Sequence, residues 1–158
     1  MQPVIVYFDG LCEAARPGGQ RNPGGLACGG YHIPPRFDVP GLEQGLRGGA
    51  YFLGGDGATN NVAEYLAAQL ACERLAATGY VGRVVLRGDS QLVIRQFTGE
   101  WRINTENLRR LRDGLRAQAG RFASFQAEWV PREENSEADA ESRRAYEAEK
   151  HRRVANPL

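Results

Sequence analysis

Residues 59–79, TNNVAEYLAAQLACERLAATG, mark the point where the period of the chain changes. Ala63, Leu66, Ala67, Leu70 and Ala71 recur at the spacing of one helical face, so a helix is predicted over 62–78, with Gly79 stopping it. Before this stretch the apolar pattern is that of strands. Residues 3–9 read as a buried strand, 10–25 as a long Gly/Pro-rich loop, and 25–33 and 48–54 as two further strands joined by a Pro- and Gly-containing connection at 34–45. Together they suggest an antiparallel meander. After residue 79, strands and helices alternate: strand 83–88, helices 90–98 and 105–119, strand 122–130 and a charged helix over 136–149. A meander followed by alternation predicts an α/β (α+β) domain, a five-stranded mixed sheet with helices against it. The domain is expected over 1–149, and residues 150–158, ending in HRRVANPL, read as a flexible C-terminal tail.

Composition sets limits around this reading. A chain of 158 residues fits one domain and buries about two thirds of its unfolded surface. It lacks an apolar run of the roughly 18–20 residues that a membrane span needs, and MQPVIVYFDG lacks the pattern of a signal peptide, which predicts a cytoplasmic protein without membrane contact, expected to act as a monomer. Cys12, Cys28 and Cys72 are odd in number and lack paired CxxC spacing, so they read as unpaired, largely buried thiols. The net charge is only +1, which argues against a large basic field over the whole surface. Distribution matters more, because Arg102, Arg109, Arg110, Arg112 and Arg116 crowd one short stretch. That stretch is either a phosphate-gripping face or the solvated side of a helix whose buried side is Leu108, Leu111 and Leu115.

Four acids sit in local motifs of their own: Asp9 in VIVYFDG, Glu64 in TNNVAEY, Asp89 in VVLRGDS and Asp139 in VPREENSEADAES. Each has an ordinary reading. Glu64 stands three residues after Asn61, as in a capping box; Asp89 and Asp139 are placed to cap or begin helices; Asp9 precedes a turn-forming glycine. The chemical alternative is convergence from two strand ends and two helix starts onto one point, where like charges repel unless a hard divalent cation neutralises them. Magnesium suits such a place, since it is held by a few carboxylates together with substrate phosphate oxygens.

The segments DGLCE, NPGG, TNNVAEY, GDSQLVI and WVPREENSEADAES, in this order over nearly the whole chain, resemble type 1 ribonuclease H, in particular its archaeal-like branch. The resemblance implies the ribonuclease H-like fold and hydrolysis of the RNA strand of RNA/DNA hybrids by two magnesium ions, with manganese as a substitute, leaving 5′-phosphate and 3′-hydroxyl ends. It implies that Asp9 bridges the ions, that Glu64 and Asp89 complete one shell, and that Asp139 holds the other ion. By the same resemblance Thr59 and Asn104 form a pocket for a phosphate of the DNA strand. Asn60 and Asn61 are placed to read 2′-hydroxyls in the minor groove, the groups that distinguish RNA from DNA.

Two departures from the family pattern are visible. Many members carry a histidine in the loop before the last aspartate, whereas this chain has only His32 and His151, which read as a strand or loop residue and a tail residue. Arg132 is the preferred stand-in, able to stabilise phosphate charge although not to act as a base, with a surface salt bridge to Glu133 or Glu134 as its ordinary reading. Between Phe97 and Leu108 only TGEWRINTEN is available, too short and too little charged for the basic protrusion of some bacterial members, so binding should depend on Arg109 and Arg112 instead. Trp101 is either a stacking residue for a sugar or a packing residue at a helix end. Arg16 and Asn22 are further backbone contacts suggested on the Gly-rich loop. Two other classes fit less well: a hybrid-binding module without catalysis, which the presence of all four acids disfavours, and another nuclease of the superfamily.

Overall fold

The computed structural model describes residues 2–13 and 25–156. Its elements run β1 (Val4–Cys12), β2 (Leu26–Ile33), β3 (Leu46–Gly54), α1 (Asn60–Ala77), β4 (Arg83–Gly88), α2 (Gln91–Thr98), α3 (Glu106–Ala119), β5 (Ser124–Trp129), a 3-10 turn at Arg132–Glu134, and α4 (Ser136–Ala155). The five strands lie in the order β3-β2-β1-β4-β5. β1 and β2, and β2 and β3, pair antiparallel as the expected meander, while β1–β4 and β4–β5 are parallel. The mixed sheet expected from the change of period is therefore the one observed.

Alternation along β1 decides which side chains meet which layer. Val4, Val6 and Phe8 point into the main core with Tyr65, Ala68, Leu75 and Leu86, on the face covered by α1. Asp9 points to the opposite face, where α4 packs over β1, β2 and β3. Helix α1 is buried on more than one side: Val62, Ala63, Tyr65, Ala67, Ala68, Leu70, Ala71, Cys72 and Leu75 are all buried, because α3 packs on it from outside the sheet. The single stripe read from the sequence was too narrow for a helix wedged between two layers.

Two glycines bring the helices close. Gly10 faces α1, and a Cβ there would overlap the Glu64 backbone nitrogen; Gly30, the register partner of Asp9, faces α4, and a Cβ there would overlap the Ser142 nitrogen. At both points helix backbone rests on strand backbone with no side chain between.

The structure differs from the sequence expectations in two places. β1 continues through Cys12 rather than ending at Asp9, since residues 9–12 pair with β2. α4 runs to Ala155 rather than stopping near residue 149, so residues 150–155 are helix, not tail; Arg152 and Arg153 both pair with Glu149, and Arg153 donates to the Tyr51 hydroxyl at 3.0 Å. The helix end is thus tied to β3 through side chains whose partners lie far away in sequence. Asn135 occupies the N-cap position of α4 without capping it; its Nδ2 instead donates to the Phe8 carbonyl at 2.9 Å. No described helix is long and apolar enough to cross a membrane. Cys28 and Cys72 are buried thiols, and the Cys12 thiol donates to the Ala58 carbonyl at 3.3 Å.

Candidate active site

The carboxyl ends of the parallel neighbours β1 and β4 open onto a cleft of about 320 Å³, the position where open α/β sheets commonly bind ligands. Asp9, Glu64, Asp89 and Asp139 all line it, with Asn60, Asn61, Ser90, Arg132 and Arg143. One oxygen from each of Asp9, Glu64 and Asp89 lies within 4.8 Å of the others. Asp139 reaches the same cleft from the first turn of α4 and is held by Arg143, whose Nε is 3.0 Å from Asp139 Oδ2.

Local structure fixes each acid. Glu64 is not part of a capping box: Thr59 is the N-cap of α1, its hydroxyl accepting from the Val62 amide, and the Glu64 carboxylate instead accepts from the Gly10 amide of β1. Asp89 follows the last residue of β4 and precedes Ser90, which caps α2 by accepting from the Val93 amide at 3.2 Å. The backbone carbonyl of Asp89 also receives the Trp129 indole N–H at 3.1 Å. Asp9 is buried, and its Oδ2 accepts from the Ser142 hydroxyl at 3.1 Å.

The electrostatics are unfavourable for a cluster left to itself. Burial first, then Asp89 and Asp139, push the Asp9 carboxyl up from 3.8 to about 8. Glu64 is raised well above the usual carboxylate range by burial and by Asp9, against the opposing Gly10 amide. Neutralising cations are few: Arg132, with an 89% exposed side chain, comes only to 3.9 Å from Asp89 Oδ2, and its partner is Asp89 rather than the expected Glu133 or Glu134. Carboxylates this close, with Asp9 and Glu64 raised by burial and by their charged neighbours, fit a hard divalent cation ligated by oxygen.

The other residues singled out in the sequence lie elsewhere. Thr59, Asn104, Arg109 and Arg112 do not line the cleft. Arg109 is bonded to Glu106 and to the Ile103 carbonyl, and Arg112 to Asp113. Trp101 is half exposed beneath the Arg95 guanidinium, 5.7 Å from its ring centre. His32 is in β2, its ring stacked on Tyr7 at 6.1 Å, and His151 is on the exposed side of α4. Arg16 and Asn22 fall outside the described residues. Ser142, Arg143 and Trp129 belong to the site but did not stand out in the sequence; the usable signal was helical spacing, since 142 and 143 lie three and four residues beyond Asp139.

A mixed sheet in this order, with acids at the ends of its central parallel pair, defines a ribonuclease H-like protein. A family model described as "Reverse transcriptase-like" matches residues 44–145. The chain is 39% identical over 140 residues to ribonuclease HI of Halobacterium salinarum, an alignment covering 87% of this chain and 61% of that relative, so it spans under two thirds of the relative's length. The crystal structure of RNase H1 from the same archaeon superposes with a TM-score of 0.73 at 36% identity, covering 93% of this chain and 99% of that one. LC11-RNase H1 in complex with an RNA/DNA hybrid superposes with a TM-score of 0.69 at 28% identity, covering 90% and 95%. The chain belongs to the ribonuclease H1 family.

Proposed function

We propose that this chain is an endonuclease that hydrolyses the RNA strand of RNA/DNA hybrids, with magnesium or manganese held by Asp9, Glu64, Asp89 and Asp139. The observation that carries the reading is the convergence of Asp9, Glu64 and Asp89 to within 4.8 Å at the mouth of a cleft that Asp139 also lines. Two divalent cations bound there would supply charge stabilisation to the phosphodiester and a nucleophile near neutral pH.

The protein's own part is positioning. Asp9 lies on β1 just past its last pairing with β4, Asp89 follows the end of β4, and the Gly10 amide orients Glu64, so three carboxylates are in place before substrate arrives. Arg143 restrains Asp139. Arg132 reaches over the cleft from the turn before α4, where its guanidinium meets the charge that grows on the phosphate during the reaction. Water attacks phosphorus, the bond to the 3′ oxygen breaks, and that oxygen leaves with a proton. The products are a 3′-hydroxyl and a 5′-phosphate.

Asn60 and Asn61 stand beside the acids, which supports a role in reading 2′-hydroxyls of the RNA strand. Thr59 and Asn104 would hold a phosphate of the opposite strand, outside the acid cleft. Digestion of end-labelled RNA/DNA hybrid beside single-stranded RNA, double-stranded RNA and double-stranded DNA, in magnesium, tests the reading. Cleavage confined to the RNA of the hybrid is expected; an intact hybrid, or equal cleavage of duplex DNA, refutes it.

A further inference from the structure

Ser142 is fully buried on α4, and its Oγ stands 3.1 Å from Asp9 Oδ2 and 2.7 Å from the Asp139 carbonyl oxygen. A hydroxyl carries one proton, and an ionised carboxylate and a carbonyl both only accept, so Ser142 serves one of them at a time. Bonding back to a carbonyl of the preceding turn is the ordinary habit of a helical serine. A bond to a charged acceptor is about twice as strong as a neutral one, so an ionised Asp9 takes the proton. The backbone prepares this choice. Asp9 pairs with Gly30 in the sheet, and because Gly30 has no side chain, α4 settles on β2 at Ser142 itself and carries the hydroxyl to the carboxylate.

We infer that Ser142 is a positioning residue for the cation site, holding Asp9 Oδ2 against α4 so that the carboxylate presents a fixed orientation to the cleft. One hydroxyl thereby links the acid on β1 to the helix that carries Asp139, and the two acids, distant in sequence, keep a constant relation. Without the hydroxyl, Asp9 Oδ2 loses its donor on α4, and the carboxylate turns away to find another. Cation binding must then reverse that turn. Partners that orient a ligand in this way commonly matter by 10–100-fold in metal affinity.

The inference rests on the reading of the acids as a divalent-cation site, and the test separates the two. Mn²⁺ binding to the protein without nucleic acid is measured by electron paramagnetic resonance for wild type, Ser142→Ala, Ser142→Cys and Asp9→Asn, with thermal midpoints recorded in chelator. Ser142→Cys puts a slightly larger thiol, a weak donor, in place of the hydroxyl. Mn²⁺ affinity is expected to fall about tenfold or more in both Ser142 variants, with the chelator midpoint of Ser142→Cys close to wild type. Where Ser142→Ala is too unstable to titrate, the rise of its own midpoint on adding Mn²⁺ reads the same affinity. Wild-type Mn²⁺ affinity in Ser142→Cys, or lowered midpoints with unchanged affinity, overturns the role of Ser142 and leaves the cation site standing. A wild-type protein that binds Mn²⁺ no better than Asp9→Asn overturns the cation site, and the role of Ser142 with it.

Discussion

The acid cleft and the arginine-rich helix α3 hold charge in opposite ways. In the cleft, carboxylates are pressed together by backbone contacts, with a raised Asp9 and Glu64 and, among the described residues, the guanidinium groups of Arg132 and Arg143 at the rim. On α3, each arginine that stands out in the sequence already has a partner close by. Arg109 and Arg110 share Glu106, Arg112 takes Asp113, and Arg116 donates to the Phe97 carbonyl at 2.9 Å while lying over the Phe97 ring. Exposed pairs of this kind are worth about 0–1 kcal/mol and are exchanged for phosphates at little cost. The cleft stores repulsion that a cation would relieve; the helix stores almost none.

The largest effect that follows is that of Asp9→Asn. The change keeps the side chain's size and removes one charge from the cluster, so cleavage should fall about a thousandfold, equivalent to several kcal/mol of lost charge stabilisation. The same variant should melt higher than wild type in chelator. Burial raises Asp9 from 3.8 to about 8, so the folded state favours its neutral form. That contribution to stability is complete below pH 4 and is lost as pH rises through about 8. The wild-type midpoint in chelator should therefore drop by several degrees more than that of Asp9→Asn between pH 5 and pH 8. A difference between the two proteins that does not change with pH would mean that the cleft is no more strained than α3.

Gly10→Ala should come next. Its Cβ would meet the Glu64 backbone, so α1 must lift from β1, at a cost of about 1–3 kcal/mol in denaturant unfolding and with loss of the Gly10 amide bond that holds Glu64. An unchanged stability would show that the close approach is not a constraint. Arg132→Ala should lower turnover about tenfold while changing the binding of hybrid less, as expected for a group that acts on charge developing in the transition state. Loss of affinity alone would move Arg132 into the class of the α3 arginines. The smallest effects belong to binding. Removing Arg109 and Arg112 should reduce the salt slope of hybrid binding by up to about two, whereas Thr59→Ala with Asn104→Ala should weaken binding and leave the slope nearly unchanged. Binding in calcium across a salt series measures both.

Much of this was legible in the sequence. The strand and helix order followed from the periodicity around α1, and the acids from their places at element ends. What could not be read is what distant segments do to one another. The helical extension through residues 150–155 involves Arg153 reaching Tyr51, and Asn135 gave up capping for the Phe8 carbonyl; neither partner is visible from local pattern. Glu64 looked like half of a capping box because Asn61 has the right spacing, yet Thr59 starts the helix, and the carboxylate turns to a strand that lies 54 residues away. The pairing of Arg132 with Asp89 was hidden for a similar reason, since Asp89 is near in space only. Ser142 looked like one polar residue among many on a charged helix.

The two tethers between β1 and α4, Asn135 to Phe8 and Ser142 to Asp9, join residues 127 and 133 positions apart. Closing loops of that length costs about 4 kcal/mol, a modest penalty in equilibrium but one that places these contacts late in assembly. Until α4 docks, Asp139 is absent from the cleft and Asp9 lacks its hydroxyl partner. During synthesis Asp9, Glu64 and Asp89 are therefore made well before α4 brings Asp139 to join them.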